Sequence, residues 1–460
     1  MTEDLTLDPL LACPRCDRTP LVATDSGYQC PGCKTEFNSL AGIPWLFAEP
    51  DASMGEWRQR LKLALLRLTH ESQRIGGDLK KDKLLAETRA RLEQLQAAND
   101  EHREMLSTLL APLDLGALEA NYESHLALRT RLPGDQGLNT YYNNVHRDWV
   151  WGDAENAASV EQIEAALKAN GDMATGDTLV LGAGAGRLAY DLHDREGSGR
   201  TVAADFNPLL ALIASEMFAG NSLELYEFPI APSSLENAAK KQTLSAPEAA
   251  SEGLHLVLAD VQRPPFARKS FDTVVTPWLI DIIAEDLRVF AARINQLLKP
   301  GGRWITFGSL AFEPASRARR YLPEEVLAIA AEAGFDRPAV IENRIPYMCS
   351  PLSRHGRDEL VFTFAATKTR KAKAPERHKS LPDWIVTGRE PVPLLKAFQS
   401  QTMSTRIYAY IMSLIDGRRT IDDIAEILEQ QKLMPKAEAI PSVRNFMIRM
   451  FEDSEKNPNL

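Results

Sequence analysis

Short apolar runs alternate with stretches of helical periodicity between residues 177 and 366. The runs are D-T-L-V-L, R-T-V-A-A-D, L-H-L-V-L-A-D, F-D-T-V-V-T, G-G-R-W-I-T-F and E-L-V-F-T-F-A-A, which have the length and composition of buried strands. Strands that alternate with helices build a doubly wound sheet, and such sheets bind ligands at the carboxyl ends of their strands. The pattern predicts an α/β, Rossmann-like domain over residues 140–367.

The rest of the chain differs from this domain in its pattern. Residues 51–139 are rich in Leu, Ala, Arg, Glu and Gln and predict amphipathic helices, while the Pro-, Ser- and Ala-rich insertion 227–253 predicts a surface excursion or a lid. Residues 368–380 form a basic linker, for which a solvated tether is the favoured interpretation. Residues 381–460 predict a small helical domain in which Thr420 is a helix N-cap.

Four cysteines in residues 1–50 form two C-x-x-C turns, at Cys13 and Cys16 and at Cys30 and Cys33. This spacing lets four thiolates converge on one zinc ion, and it is typical of a zinc ribbon. A shell of four cysteines leaves no open coordination position, so the zinc is expected to be structural and not catalytic.

The composition narrows the class of protein. The 460 residues are 44% hydrophobic and 25% charged, as in a soluble globular protein, and the net charge of -10 argues against a nucleic-acid partner. No apolar run approaches the roughly 20 residues that span a bilayer, and the N-terminus does not resemble a signal peptide. We therefore expect a cytoplasmic protein with no membrane partner; a homodimer is left open.

The strand T-L-V-L leads into G-A-G-A-G-R-L-A, and the next two strands end in acidic residues within A-A-D-F-N-P and L-A-D-V-Q, before a later K-P-G-G turn. This set, in this order, resembles the class I S-adenosylmethionine-dependent methyltransferases. The resemblance implies that an acidic residue accepts both ribose hydroxyls and that a second lies near the adenine. The implied cofactor-binding residues are Gly182, Gly184, Gly186, Arg187, Asp205, Asp260 and Val261.

A narrower resemblance covers residues 140–366. The segments H-R-D-W, W-L-I-D-I-I, K-P-G-G-R-W-I-T-F-G-S-L and Y-M-C-S-P-L-S are similar to the carnosine N-methyltransferase family, which methylates an imidazole nitrogen of a histidine-containing dipeptide. The resemblance implies a cofactor contact at Arg147 and catalytic roles for Asp281, which would orient the imidazole, and Tyr347 in the substrate pocket. The alternative for Asp281 is a helix N-cap.

The sequence departs from that family in the region expected to bind substrate. Glu313 stands where the family has a histidine, and Arg354, His355 and Arg357 stand where it has tyrosines that receive the dipeptide carboxylate. Arginine binds carboxylates in a bidentate fork. The expected substrate is therefore a histidine-containing small molecule or dipeptide with an acidic group, and not necessarily carnosine.

Two other functions stay open. The C-terminal segment D-G-R-R-T-I-D-D-I-A-E-I-L weakly resembles the winged-helix domains that grip leader peptides in ribosomal peptide modification, so the outer domains could bring a peptide or protein substrate to the enzyme. The other alternative is a non-catalytic scaffold with the methyltransferase fold. The intact glycine loop and Asp205 argue against it.

Overall fold

The computed structural model describes residues 5–81, 83–116, 138–195, 198–312, 316–376, 384 and 389–456. The chain divides into two compact units, residues 1–379 and residues 380–460. The cysteine-rich segment, the helices that follow it and the large sheet all belong to the first unit.

The N-terminal part of the first unit is a small antiparallel sheet. It follows a 3-10 turn, Asp8–Leu10, and its strands lie in the order β1-β2-β3-β4. They are β1 (Val22–Thr24), β2 (Gly27–Gln29), β3 (Glu36–Leu40) and β4 (Ile43–Pro44).

Long helices connect the small sheet to the large one. Helices α1 (Pro50–Asp78) and α2 (Ala86–Leu109) pack against each other, and a 3-10 turn at Ala111–Leu113 follows them. Helix α3 (Leu138–His146) continues into one turn of π-helix, Arg147–Trp151, called the π turn below. Helix α4 (Asp153–Asn170) follows directly and packs on β13, β12 and β11 of the large sheet. It lies in the predicted domain of residues 140–367, whereas α2 lies in the predicted helical region, residues 51–139.

The large sheet has seven strands in the order β12-β13-β11-β10-β5-β6-β9. Its members are β5 (Gly176–Leu181), β6 (Ser198–Asp205), β9 (Leu254–Leu258), β10 (Phe271–Pro277), β11 (Leu298–Gly308), β12 (Val340–Tyr347) and β13 (Arg357–Thr367). The five strands from β11 to β9 are parallel, and β13 is antiparallel to both of its neighbours. The α/β, Rossmann-like prediction is confirmed.

Helices cover this sheet on both faces, which explains why its central strands are almost continuously buried. The crossing helices are α5 (Arg187–His193), α6 (Pro208–Phe218), α7 (Leu287–Leu297) and α8 (Pro323–Glu332), with a short 3-10 turn at Arg317–Arg319. Because the glycine loop follows β5 at the carboxyl edge of the sheet, it lies where ligands bind in this class of fold.

The predicted surface excursion, residues 227–253, contains strand β8 (Lys240–Ser245), which forms a β-hairpin with the preceding strand β7 (Ser222–Glu227). A 3-10 turn at Leu235–Asn237 lies between the two strands. Its loop is bound to a second loop: the Ser233 amide donates to the Leu352 carbonyl at 2.8 Å, and the Arg354 amide donates to the Ala231 carbonyl at 2.7 Å. These bonds fix the two loops to each other.

The second unit consists, in its described residues, of helices α9 (Lys396–Ser413), α10 (Ile421–Gln430) and α11 (Lys436–Lys456) around a small apolar core. Thr420 caps α10 as predicted, in a capping box with Asp423. No strand occurs within residues 389–456, so the winged-helix prediction is not confirmed. None of the described helices is long and apolar enough to cross a membrane.

Candidate active site

A loop with three glycines joins β5 to α5. All three have positive φ, +73° at Gly182, +59° at Gly184 and +88° at Gly186, a conformation that strains residues with a Cβ. A Cβ at Gly182 would lie 3.1 Å from Leu279, and one at Gly186 would lie 2.8 Å from the ring of Phe218. At Gly184 no neighbouring atom lies within 4 Å of such a Cβ. Protein packing requires glycine at two of these positions, whereas the space beside Gly184 is open.

The carboxylate of Asp205 lies beside this loop at the end of β6. Its Oδ2 accepts the Gly184 amide at 2.8 Å and its Oδ1 accepts the Asn207 amide at 2.8 Å. The residue is only 7% exposed, and burial raises the pKa of its carboxyl group to about 6, although the two amides oppose the rise. Two fixed oxygens with remaining lone pairs suit the paired hydroxyls of a ribose.

The neighbouring strand brings a second acidic residue to the same edge. Asp205 pairs with Leu258 in the β6–β9 register, and the Ala259 amide donates to the Asp205 carbonyl at 2.8 Å. Asp260 Oδ1 accepts the Gln262 amide at 2.8 Å, which closes a turn, and Val261 packs against the main core. The structure therefore places both acidic residues at adjacent strand ends, as the predicted ribose and adenine contacts require.

The π turn lies over the glycine loop. Trp149 is buried, and its indole N–H donates to the Ala185 carbonyl at 2.9 Å. Arg147 is held in place by its neighbour, because its Nε and Nη2 both donate to Asp148 Oδ1, at 2.8 and 2.6 Å. The π turn, which carries Arg147, is thus in contact with the glycine loop, while a direct contact of Arg147 with the cofactor stays a prediction.

Arg187 is engaged by protein groups. Its Nε lies 2.9 Å from Asp191 Oδ1, its Nη1 donates to the Asp148 carbonyl at 2.8 Å, and its guanidinium lies 5.4 Å from the Trp149 ring centroid. These contacts join α5 to the π turn. The arrangement favours a role for Arg187 in holding the π turn over the loop, and the predicted cofactor contact stays a prediction.

Asp281 lies in a turn after β10, two residues beyond the Leu279 side chain that faces Gly182. The residue is 6% exposed, and its Oδ2 accepts the Ser309 hydroxyl at 2.6 Å and the Ala311 amide at 2.9 Å. The alternative interpretation as a helix N-cap is wrong, because helix α7 is capped by Asp286 instead. Asp281 is a buried carboxylate oriented by two donors from the end of β11.

Tyr347 closes the same side of the site at the end of β12. Its ring centroid lies 4.6 Å from that of Trp278, in the turn that carries Asp281, and the Arg357 guanidinium lies 4.8 Å from the Tyr347 centroid. Burial raises the pKa of the Tyr347 hydroxyl, and the positive charges of Arg147 and Arg357 oppose the rise. Tyr347 therefore connects the Asp281 turn with the π-turn side of the site.

The other predicted substrate residues are not all brought together. Arg357 lies on the Tyr347 ring and also pairs with Glu359 at 2.8 Å, but it is exposed. Arg354 and His355 lie in the exposed loop that holds the β7–β8 hairpin, where the Arg354 guanidinium donates to a backbone carbonyl. Glu313 lies outside the described residues.

The structure adds residues that the sequence did not indicate. Buried Glu155, in the first turn of α4, accepts the Met348 amide at 3.0 Å and the Cys349 amide at 2.7 Å, which fixes the chain after Tyr347. Ser309 orients Asp281. Ser309 follows a predicted strand in the F-G-S-L segment, and this position at a strand end is a signal that the sequence offers. The sequence offers no such signal for Glu155, because its hydrogen-bond partners lie far away along the chain.

The four cysteines lie together outside the strands of the small antiparallel sheet, Cys13 and Cys16 before β1 and Cys30 and Cys33 between β2 and β3. The sulfurs of Cys13 and Cys33 are 3.6 Å apart, those of Cys16 and Cys30 are 3.4 Å apart, and all four lie within 4.8 Å of one another. One zinc ion with four thiolate ligands fits such a cluster. This arrangement supports the predicted zinc ribbon.

Comparison with known proteins identifies the same part of the chain. Residues 136–348 match the model of a family described as carnosine N-methyltransferase, a stretch that contains the π turn, the glycine loop, Asp205, Asp281 and Tyr347. No curated protein matches the chain.

Solved structures of methyltransferases are also similar. A Haemonchus contortus phosphoethanolamine N-methyltransferase 2 is 20% identical over 42% of this chain and 39% of its own, with a TM-score of 0.27. A Burkholderia thailandensis 1,6-didemethyltoxoflavin-N1-methyltransferase is 20% identical over 55% of this chain and 93% of its own, with a TM-score of 0.31. At these scores neither supports an inference about this chain. The prediction of an S-adenosylmethionine-dependent methyltransferase is confirmed by this family match.

Proposed function

We propose that this S-adenosylmethionine-dependent N-methyltransferase methylates an imidazole nitrogen of a histidine-containing small molecule or dipeptide. The observation that carries the proposal is the buried, doubly hydrogen-bonded carboxylate of Asp281, beside the glycine loop. The family match over residues 136–348 supports the same acceptor chemistry.

The arrangement of Asp281 suits an acceptor with one N–H and one free lone pair. Both observed donors, Ser309 and Ala311, bind Oδ2. Oδ1 then remains to accept the N–H of an imidazole. Because neutral imidazole carries its proton on only one nitrogen, an acceptor at that N–H fixes the tautomer and leaves the other nitrogen unprotonated.

The residues around the glycine loop would hold the cofactor, with Asp205 at the ribose and Asp260 at the adenine. When bound, S-adenosylmethionine supplies an electrophilic methyl group on a positively charged sulfur. The protein aligns the nitrogen lone pair with that carbon, and such alignment can contribute several orders of magnitude to the rate. Methylation would place positive charge on the imidazole, and the negative carboxylate of Asp281 would stabilise that charge.

An acidic group of the substrate would be bound by arginine. Arg357 is the best placed of the predicted arginines, because it lies on the ring of Tyr347 while its partner Glu359 is on the same face of β13. A substrate carboxylate can compete for the guanidinium in a bidentate pair. Arg354 and His355 support this role less well, since they lie in the exposed loop beyond it.

The test is Asp281→Asn, with Asp286→Asn as its control. The amide keeps the shape of Asp281 but can present a donor to the imidazole N–H, so turnover should fall at least about a hundredfold, comparable to losing a positioned acid–base group. Affinity for S-adenosylmethionine should stay nearly the same, since Asp281 does not contact the predicted ribose or adenine residues. Asp286 caps α7 and should affect stability only. Full activity of Asp281→Asn on an imidazole acceptor would refute the role of this carboxylate.

A further inference from the structure

The cysteine cluster is attached to the strand end that carries the predicted adenine contact. The Ala12 amide donates to the Pro265 carbonyl at 2.8 Å, the Ala267 amide donates to the Leu10 carbonyl at 2.8 Å, and Leu11 forms an antiparallel bridge with Phe266. The segment just before Cys13 thus pairs with the segment that follows Asp260.

A second attachment to the large sheet follows the cysteine cluster in the sequence. Past β4, Trp45 forms a parallel bridge with Leu258, and the Leu46 amide donates to the Leu258 carbonyl at 2.8 Å. The ribbon therefore extends the edge of the large sheet at the last residue of β9, two residues before Asp260.

Arg263 joins the two regions directly. Its Nη2 donates to the carbonyl of Arg15, which lies between the first two cysteines, at 3.2 Å, and its own amide donates to the Asp260 carbonyl at 2.9 Å. Arg263 is only 8% exposed. One buried side chain thus connects the backbone of the first C-x-x-C turn to the turn that begins at Asp260.

We propose that the metal-bound cysteine turn is a positioning element of the cofactor site, and that Arg263 transmits its position to Asp260. A metal held by four thiolates fixes the backbone of the turn and therefore the Arg15 carbonyl. Arg263 then holds the Asp260 turn in one place against the adenine. Metal occupancy consequently sets the affinity for S-adenosylmethionine, in addition to the stability of the ribbon. The proposal rests on the cofactor assignment made above.

The first experiment measures binding of S-adenosylhomocysteine by calorimetry to the full chain, loaded with zinc, stripped by a chelator, and reloaded. The stripped protein should bind about tenfold more weakly, the change expected from losing roughly one charge-assisted hydrogen bond, and reloading should restore the affinity. Turnover at saturating cofactor should change little, because the Asp281 carboxylate is oriented by Ser309 and Ala311, which lie outside the ribbon. If the zinc-loaded protein does not bind the probe, the cofactor assignment fails and this proposal fails with it. Equal affinity in loaded and stripped protein overturns this proposal alone.

Arg263→Ala separates positioning from folding, because it keeps all four cysteines. The variant should retain zinc by elemental analysis yet bind S-adenosylhomocysteine about tenfold more weakly, and Arg263→Lys should recover part of that loss. The matched control is Arg303→Ala, since Arg303 is equally buried and donates to backbone carbonyls at the opposite end of the sheet. If removal of the metal unfolds the ribbon, the comparison of Arg263→Ala with Arg303→Ala tests the proposal instead. An Arg263→Ala protein with zinc bound and wild-type affinity, or an equal loss in Arg303→Ala, overturns the proposal.

Discussion

Replacing Asp205 by asparagine tests the ribose site most sharply. In the structure both carboxylate oxygens are acceptors, Oδ2 for the Gly184 amide and Oδ1 for the Asn207 amide, each at 2.8 Å. Asparagine has one oxygen and one NH2 group, so whichever way the amide turns, a donor faces a backbone N–H. For the proposed ribose hydroxyls, one acceptor oxygen is lost and the remaining oxygen no longer carries a charge.

The size of the effect follows from these contacts. A hydrogen bond to a charged group contributes about 1.5–3 kcal/mol, so the Kd for S-adenosylmethionine should rise roughly 10- to 150-fold. The unfolding free energy should change less, because two effects oppose each other. Burial raises the pKa of Asp205 from 3.8 to about 6, which corresponds to a cost of about 3 kcal/mol for the ionised form at neutral pH. Asparagine removes that cost while it loses a hydrogen bond.

The same raised pKa gives a pH dependence with a defined sign. If Asp205 accepts the ribose hydroxyls as proposed, its ionised carboxylate is the better acceptor, and binding should weaken as the pH falls through about 6. In the free protein the sign is opposite, since a raised pKa favours the protonated folded form and the stability it contributes is lost as the pH rises through about 6. Calorimetry of wild type and Asp205→Asn between pH 5 and 8 measures both effects on binding. Equal Kd values in the two proteins, or a wild-type Kd independent of pH, would refute the ribose role of Asp205.

Three further predictions concern other parts of the molecule. Gly184→Val should abolish binding of S-adenosylmethionine in calorimetry. It should also lower the unfolding free energy by about 1–2 kcal/mol, because valine is strained at the φ of +59°; wild-type affinity would contradict a cofactor site at Gly184. Elemental analysis should find one zinc per chain, and metal-free protein purified under reducing conditions would contradict the zinc ribbon. Cys30→Ser should lower the melting temperature yet retain turnover at saturating cofactor, whereas a fully folded but inactive variant would show that the metal is not structural.

The buried strands could be predicted because buried strands are apolar over most of their length, and this pattern is visible in the sequence. Strands β5, β6 and β10 are apolar over most of their length and lie inside the sheet. Strand β12 was missed for the opposite reason: it is an edge strand whose residues Glu342, Asn343 and Arg344 are exposed and which contains Pro346. In such a strand the alternation of apolar and polar residues is too weak to predict it.

Candidate site residues are predictable from the sequence where a short motif requires a particular backbone conformation. The glycine loop needs positive φ and adjoins a strand end, so the sequence points to it, as it does to the acidic ends of β6 and β9. The partners of Asp281 and of the chain after Tyr347 are not local. Ser309 is 28 residues from Asp281, and Glu155 is 194 residues from Cys349, so only the folded chain brings them together.

The most direct test of the central claim is to identify the methylated product. Purified protein is incubated with isotopically labelled S-adenosylmethionine and, in turn, histidine, carnosine and short histidine-containing peptides, and the products are analysed by mass spectrometry and NMR. We predict transfer of one labelled methyl group to an imidazole nitrogen, with a rate that declines as the free imidazole becomes protonated near its ordinary pKa of about 6.5. A preference for peptides over the small acceptors would show that the substrate is peptide-bound. Methylation of none of these compounds by protein that binds the cofactor would contradict the imidazole assignment.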